Sequence, residues 1–200
     1  MPQRQRPYHH GDLRTALLAA AIREIESVGV EHLSLRSLAT EVGVSPSAAY
    51  HHFADKDALI AAVALQGFAM LEQAVTDAAA AVPATDDPAT RLGAAAGAYI
   101  AFAVAHPHLF RVAFSGHRLV TTTALDTAGV VHPLLGQLLD DIADSGSVPL
   151  ALRRGADALV WAAVHGMATL VLEGFMRVED IPVHLAALER TMRMSEYSPA

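Results

Sequence analysis

Cysteine is absent from this chain of 200 residues. That removes disulfide scaffolds, thiolate zinc sites and thiol nucleophiles together, and it fits an intracellular setting. Charge is sparse, at 18% of residues against 52% hydrophobic, a balance that excludes disordered and collagen-like classes. Long apolar runs are missing as well. The charge-free stretches Leu92–Ala105 and Ala158–Leu172 count 14 and 15 residues, whereas a membrane-spanning helix needs about 20. The opening Met-Pro-Gln-Arg-Gln-Arg-Pro leads into no apolar segment of signal-peptide type. Strand signals are equally scarce: no sustained alternation of apolar and polar residues, and no Asn-Gly or Asp-Gly turn. These absences lead us to expect a soluble, cytoplasmic, all-α protein with no membrane partner.

Acid and base are unevenly spread. Residues 1–58 carry a net charge of −1 and residues 59–200 a net −6, which together make the −7 of the whole chain. Such a chain does not bind polyanions indiscriminately, but it can carry a local basic site. Five of the eleven histidines fall in the first part, as does Lys56, the only lysine.

Helix signals are dense. Leu13, Leu17, Ala21, Ile25 and Val28 form one stripe, with Asp12 expected as N-cap and Gly29 as stop. Ser34 starts a short helix with Leu35, Leu38, Ala39 and Val42, which Gly43 ends. Ser45-Pro46 starts another that runs to about Phe53. Asp55 caps a long fourth helix, and the loop Pro83-Ala84-Thr85-Asp86-Asp87-Pro88 follows it. Further helices are expected to Ala105, over Pro107–Phe114, over 121–144 with a kink or late start at Pro133, over 150–177, and from Ile181 to about Met194. The count is about nine: a three-helix bundle over residues 1–54, then a larger bundle over 55–200 whose first helix, 55–82, links the two.

Ser34–Phe53 carries the most information. In Ala39-x3-Gly43-x5-Ala49, the small Ala39 admits a crossing helix, Gly43 makes the turn, and Val44 and Ala49 lock the pair. This is the spacing of a helix-turn-helix. The second helix then presents Ser45, Ser47, Ala48, Tyr50 and His51 outward, a short, polar and aromatic face that can enter a major groove and touch phosphates. Arg36 flanks it, and Ser34 stands at the start of the preceding helix. Lys56 opens the next helix, where a phosphate would meet both an ammonium and free backbone N–H groups. Arg4 and Arg6 form an arm suited to backbone or minor-groove contact.

The motifs His10-Gly11-Asp12-Leu13, Leu35-Arg36-Ser37-Leu38-Ala39, Gly43-Val44-Ser45, Ala49-Tyr50-His51-His52-Phe53 and Asp55-Lys56-Asp57-Ala58-Leu59 together resemble the TetR family of bacterial transcriptional repressors. The resemblance is strong over residues 10–63. His106–Phe114 and Trp161-Ala162-Ala163-Val164-His165-Gly166 resemble segments of one subgroup's C-terminal domain. The family pattern implies that one of His51 and His52 reaches phosphate while the other packs. It implies a homodimer formed by the last two helices, and hence an inverted-repeat operator in double-stranded DNA. Ala48-Ala49 departs from the larger or hydroxylated pair more usual there, which limits Ala48 to at most a thymine methyl.

Trp161 and His165 lie one turn apart on one helix face. With Phe68, Tyr99, Phe102, Phe110, Phe114 and Met167 they are candidates for a largely apolar effector pocket with one polar anchor; a plain core accounts for the same spacing. His106 and His108, with His117, His132 and Asp126, form no convincing zinc set without a thiolate, so no metal or other cofactor is expected. An all-α enzyme or carrier with an incidental helix-turn-helix is the competing reading. No Ser/His/Asp triad, phosphate loop or paired-carboxylate motif supports it, and a non-enzymatic regulator is expected.

Overall fold

The computed structural model describes residues 10–115, 128–146, 153 and 155–193, with the backbone alone for 10–12, 128–132 and 192–193. Among the described residues there are nine α-helices and no strand: α1 His10–Val28, α2 Leu35–Val42, α3 Pro46–His52, α4 Lys56–Ala81, α5 Pro88–Ala105, α6 Pro107–Ser115, α7 Ala128–Asp144, α8 Ala156–Leu172 and α9 Ile181–Arg193. Short 3-10 turns at Val30–His32 and Val178–Asp180 complete the set.

The described residues fall into two compact units. The first holds those up to Gly67 together with His108 to Ser115; the second holds Phe68–Pro107 and those from Ala128 onward. The helix α4 runs through both, and the segment after His106-Pro107 joins the first unit rather than the second.

In the first unit α1, α2 and α3 pack on one another around Leu17, Ile25, Leu38 and Ala49, all fully buried. Local chemistry fixes the joints. Gly43 ends α2 in the left-handed region (φ 79°, ψ 31°), and its N–H and that of Val44 satisfy the last carbonyls of α2. Ser45 caps α3 by accepting the Ala48 N–H at 3.2 Å, and Pro46 takes the first helical position. Asp55 caps α4 through the Ala58 N–H at 2.7 Å. A longer-range cap joins α1 to α6: Glu26 Oε1 accepts the Leu109 N–H at 2.9 Å. Gly67 of α4 lies so close to α6 that an added Cβ would stand 3.1 Å from Leu109 Cδ1.

In the second unit α5 is central, with α7, α8 and α9 packed on it. Ile100, Leu138, Val160 and Ala168 are buried there. Arg153 ties α7 to α8: its guanidinium donates to Asp140 at 2.7 Å, to Asp157 at 2.9 Å and to the Gly136 carbonyl at 3.1 Å.

Several sequence expectations need correction. α1 begins at His10, so Asp12 lies inside its first turn and is not the N-cap. Val28, the last residue of α1, is exposed. The helix expected over 150–177 is shorter: Gly155 (φ 84°) precedes its first residue and Gly174 (φ 76°) follows its last turn. Both glycines adopt the left-handed dihedrals that a helix interior excludes. By length and composition α4 could cross a membrane, which the apolar-run reading did not foresee. Its buried residues, Leu59, Val63, Ala64, Gly67, Leu71, Val75 and Ala79, share one face, while Glu72, Gln73 and Asp77 are exposed, the pattern of an amphipathic core helix.

Candidate nucleic-acid interface and effector chamber

The polar face of α3 stands clear of the first unit's core. Ala49 is buried against it, whereas Ser45, Ser47 and His51 are exposed and Tyr50 is 51% exposed. Ala48 and His52 are half-buried. Ser34, just before α2, and Arg36 on α2 are exposed as well. No carboxylate interrupts α3, and the nearby Glu41 of α2 is engaged by Arg23 at 2.8 Å. Phe53, just past α3, is buried beneath the Arg14 guanidinium, which lies 5.1 Å from its ring centre. Lys56 is less free than its position suggested: its Nζ donates to the Glu31 carbonyl at 3.0 Å. An ammonium has three donors, so this bond fixes the charge at the start of α4 and leaves capacity for a phosphate. Arg4 and Arg6 lie outside the described residues.

In the second unit Tyr99 and Trp161 line a small cavity of about 40 Å³ with Val75, Leu135, Leu138 and Val164. The Tyr99 oxygen and His165 Nδ1 are 2.8 Å apart, and the Trp161 side chain also hydrogen-bonds Tyr99. The indole N–H can only donate, so the Tyr99 oxygen accepts from Trp161 and shares a second hydrogen bond with His165 Nδ1. Burial works the same way on both groups. It pushes the Tyr99 hydroxyl well above the usual tyrosine range and holds the His165 imidazole below its usual value. The Trp161 and His165 rings are stacked, 5.3 Å apart.

The other candidate aromatics are placed differently. Phe102 is buried against the His106 ring at 4.9 Å, Phe68 is half-buried on α4, and Met167 is buried on α8. Phe110 and Phe114 pair at 4.7 Å in the first unit. None of these five lines the cavity beside Trp161. His117, His132 and Asp126 lie outside the described residues.

Comparison with known protein families gives two matches. Residues 17–63 match the model of bacterial regulatory proteins of the tetR family, and residues 92–194 match the tetracyclin repressor-like C-terminal domain. The chain belongs to the TetR family.

A protein of unknown function from Rhodococcus sp. RHA1 is 31% identical, with a TM-score of 0.82 over 94% of this chain and 97% of that one. A TetR-family transcriptional regulator from Pectobacterium atrosepticum shares the fold at 23% identity, with a TM-score of 0.74 over 98% and 100% of the two chains. The HTH-type transcriptional regulator BetI of Brucella anthropi is 37% identical over 81 residues, and this match covers 40% of each chain.

Two features of this TetR-family chain escaped the sequence. No sequence motif singles out Glu26, and only the packing of α6 on α1 gives it the Leu109 N–H to accept. On α9, Leu185 and Leu188 line a groove beside α5. Regular apolar spacing on α9 signalled a covered face without saying which neighbour covers it.

Proposed function

We propose that the protein is a ligand-responsive repressor that binds a palindromic DNA operator as a homodimer and is released by a small, largely apolar effector. Residues 1–54 are the reading head and 55–200 the effector and dimerisation part, with α4 common to both. The observation that carries this reading is the face of α3, polar, aromatic and free of acid, held in a helix-turn-helix of family geometry. Ser45, Ser47, Tyr50 and His51 would touch base edges and phosphates, and Ala48 a thymine methyl. Ser34, Arg36, His52, Lys56 and the arm residues Arg4 and Arg6 would hold the backbone.

One head offers too few base contacts for useful specificity, and a two-fold dimer doubles them. The outer surfaces of α8, α9 and the turn between them suit that role. Leu159 is 74% exposed, Phe175 is 82% exposed, and Leu170, Val178 and Val183 are exposed as well, a concentration of apolar surface that marks an interface. The effector would act at Tyr99, Trp161 and His165, by preferring a state with the heads wrongly spaced. It would lower operator affinity by about ten to a hundredfold. The protein would act in the cytoplasm, on the nucleoid. Selection of DNA fragments by the purified protein tests the reading: an inverted repeat should emerge, and recovery of unrelated sequences would reject it.

A further inference from the structure

No motif singles out Arg14, yet the structure gives its guanidinium a defined place. The guanidinium carbon lies 5.1 Å from the centre of the Phe53 ring. Phe53 is buried, and its N–H donates to the Ala49 carbonyl at 3.1 Å, which ties it to the end of α3. Arg14 itself, one turn inside α1, is exposed. A cation of α1 is thereby held beside the end of α3, on a ring that core packing keeps in place.

The charge is not neutralised within the protein. The residues one turn away on α1 are His10, Gly11, Leu17 and Leu18, none of them acidic. Among the described residues Arg14 makes no ion pair, whereas Arg23 on the same helix is held by Glu41 at 2.8 Å. The helix α3 carries no acid, and Asp55 beyond it accepts the Ala58 N–H at 2.7 Å. Stacking occupies the flat face of a guanidinium and leaves the N–H donors along its edge for other partners. Those donors match a phosphate, two at a time. A guanidinium already held in place also loses less side-chain entropy when it binds.

The position suits a phosphate. The seven residues of α3 make a helix about 10 Å long, no longer than the major groove is wide, about 12 Å. A group at the end of such a helix lies near the sugar–phosphate strand that borders the groove. We propose that Arg14 is a phosphate-binding residue of the DNA interface, oriented by the Phe53 ring. This inference rests on α3 as the DNA-reading helix, and it adds a contact from α1.

A cation at the C-terminal end of α3 can also act on the fold alone, through the helix dipole. Salt dependence separates the two roles. Full-length wild type and Arg14→Gln should be compared by fluorescence anisotropy on the selected inverted repeat and on scrambled DNA, over a series of salt concentrations. Each lost phosphate contact should flatten the slope of log K against log salt by about 0.9, or about 1.8 for two heads. At about 0.15 M salt this corresponds to a loss of about fivefold for one head and about thirtyfold for two. The loss should be the same on both DNAs, because phosphates carry no sequence. Phe53→Leu should weaken binding in the wild-type background and have no further effect on DNA affinity in Arg14→Gln, since the ring acts through Arg14.

A folded Arg14→Gln with the wild-type salt slope overturns the phosphate contact, even if its melting temperature falls. A loss confined to the inverted repeat overturns it too, in favour of a base contact. Equal effects of Phe53→Leu in both backgrounds overturn the orienting role of the ring, and if Phe53→Leu fails to fold the Arg14→Gln slope still decides the contact. Wild type that binds both DNAs equally rejects the reading of α3 itself, an outcome distinct from a wild type that selects the repeat with an Arg14→Gln that binds as well.

Discussion

Gly67→Ala and Gly93→Ala make the same chemical change in two helices, and the structure requires opposite outcomes. Both glycines lie inside a long helix, where alanine gains about 1 kcal/mol over glycine. At Gly93 nothing stands within 4 Å of the new Cβ, so the gain should appear whole. At Gly67 the Cβ would stand 3.1 Å from Leu109 Cδ1, 3.2 Å from its Cγ and 3.4 Å from Ala113 Cβ. Leu109 is fully buried and its N–H is held by Glu26, so neither the side chain nor the start of α6 can retreat freely. Overpacking of this kind costs about 1–3 kcal/mol. Offset by the helix gain, it leaves Gly67→Ala destabilised by about 1 kcal/mol. The two variants should therefore differ by about 2 kcal/mol, or roughly 4–8 °C in Tm for a chain of this size. Circular-dichroism melts at one fixed protomer concentration measure this, since association itself raises Tm. Equal shifts of the same sign would refute the close packing of α6 on α4.

Asp55→Ala removes the α4 cap at Ala58 and should cost about 1 kcal/mol, seen as a shifted denaturant midpoint with unchanged slope. The His165 imidazole is held below its usual value by burial, so below pH of about 6.5 the unfolded chain binds a proton that the folded protein refuses. Its contribution to stability is intact above that pH and is lost as pH falls from there through the folded-state value. His165→Gln should thus lose less Tm than wild type between neutral and mildly acidic pH, and an identical loss would remove His165 from the account. Leu159→Glu places a charge on the proposed subunit interface and should shift light scattering from dimer toward monomer at micromolar concentration, whereas a dimer of unchanged stability would place the interface elsewhere.

Much of the fold was legible because its joints are chemically explicit. Gly43 needs left-handed dihedrals, Ser45-Pro46 and Asp55 carry capping chemistry, and His106-Pro107 stops α5; each is written in one to three adjacent residues. What the sequence did not show depends on partners distant along the chain. Gly155 and Gly174 sat inside an apolar run that read as one helix over 150–177, and their dihedrals are set by the turns on either side of α8. Tyr99 and His165 are 66 positions apart and meet only when α5 packs on α8. Phe68, Phe102, Phe110, Phe114 and Met167 share apolar character with Trp161, but composition carries no direction, and none of them lines the cavity beside Trp161. The groove between α5 and α9, which Gly93 lines, was invisible for the same reason.

The central claim is sequence-specific DNA binding through α3. Fluorescence anisotropy at physiological salt should be measured on the selected inverted repeat and on scrambled DNA of equal length, with wild type and Tyr50→Ala. Wild type should favour the repeat by at least about a thousandfold, and Tyr50→Ala should weaken that binding without changing the melting temperature. Equal affinity for both DNAs, or a Tyr50→Ala protein that binds the repeat as wild type does, would contradict it.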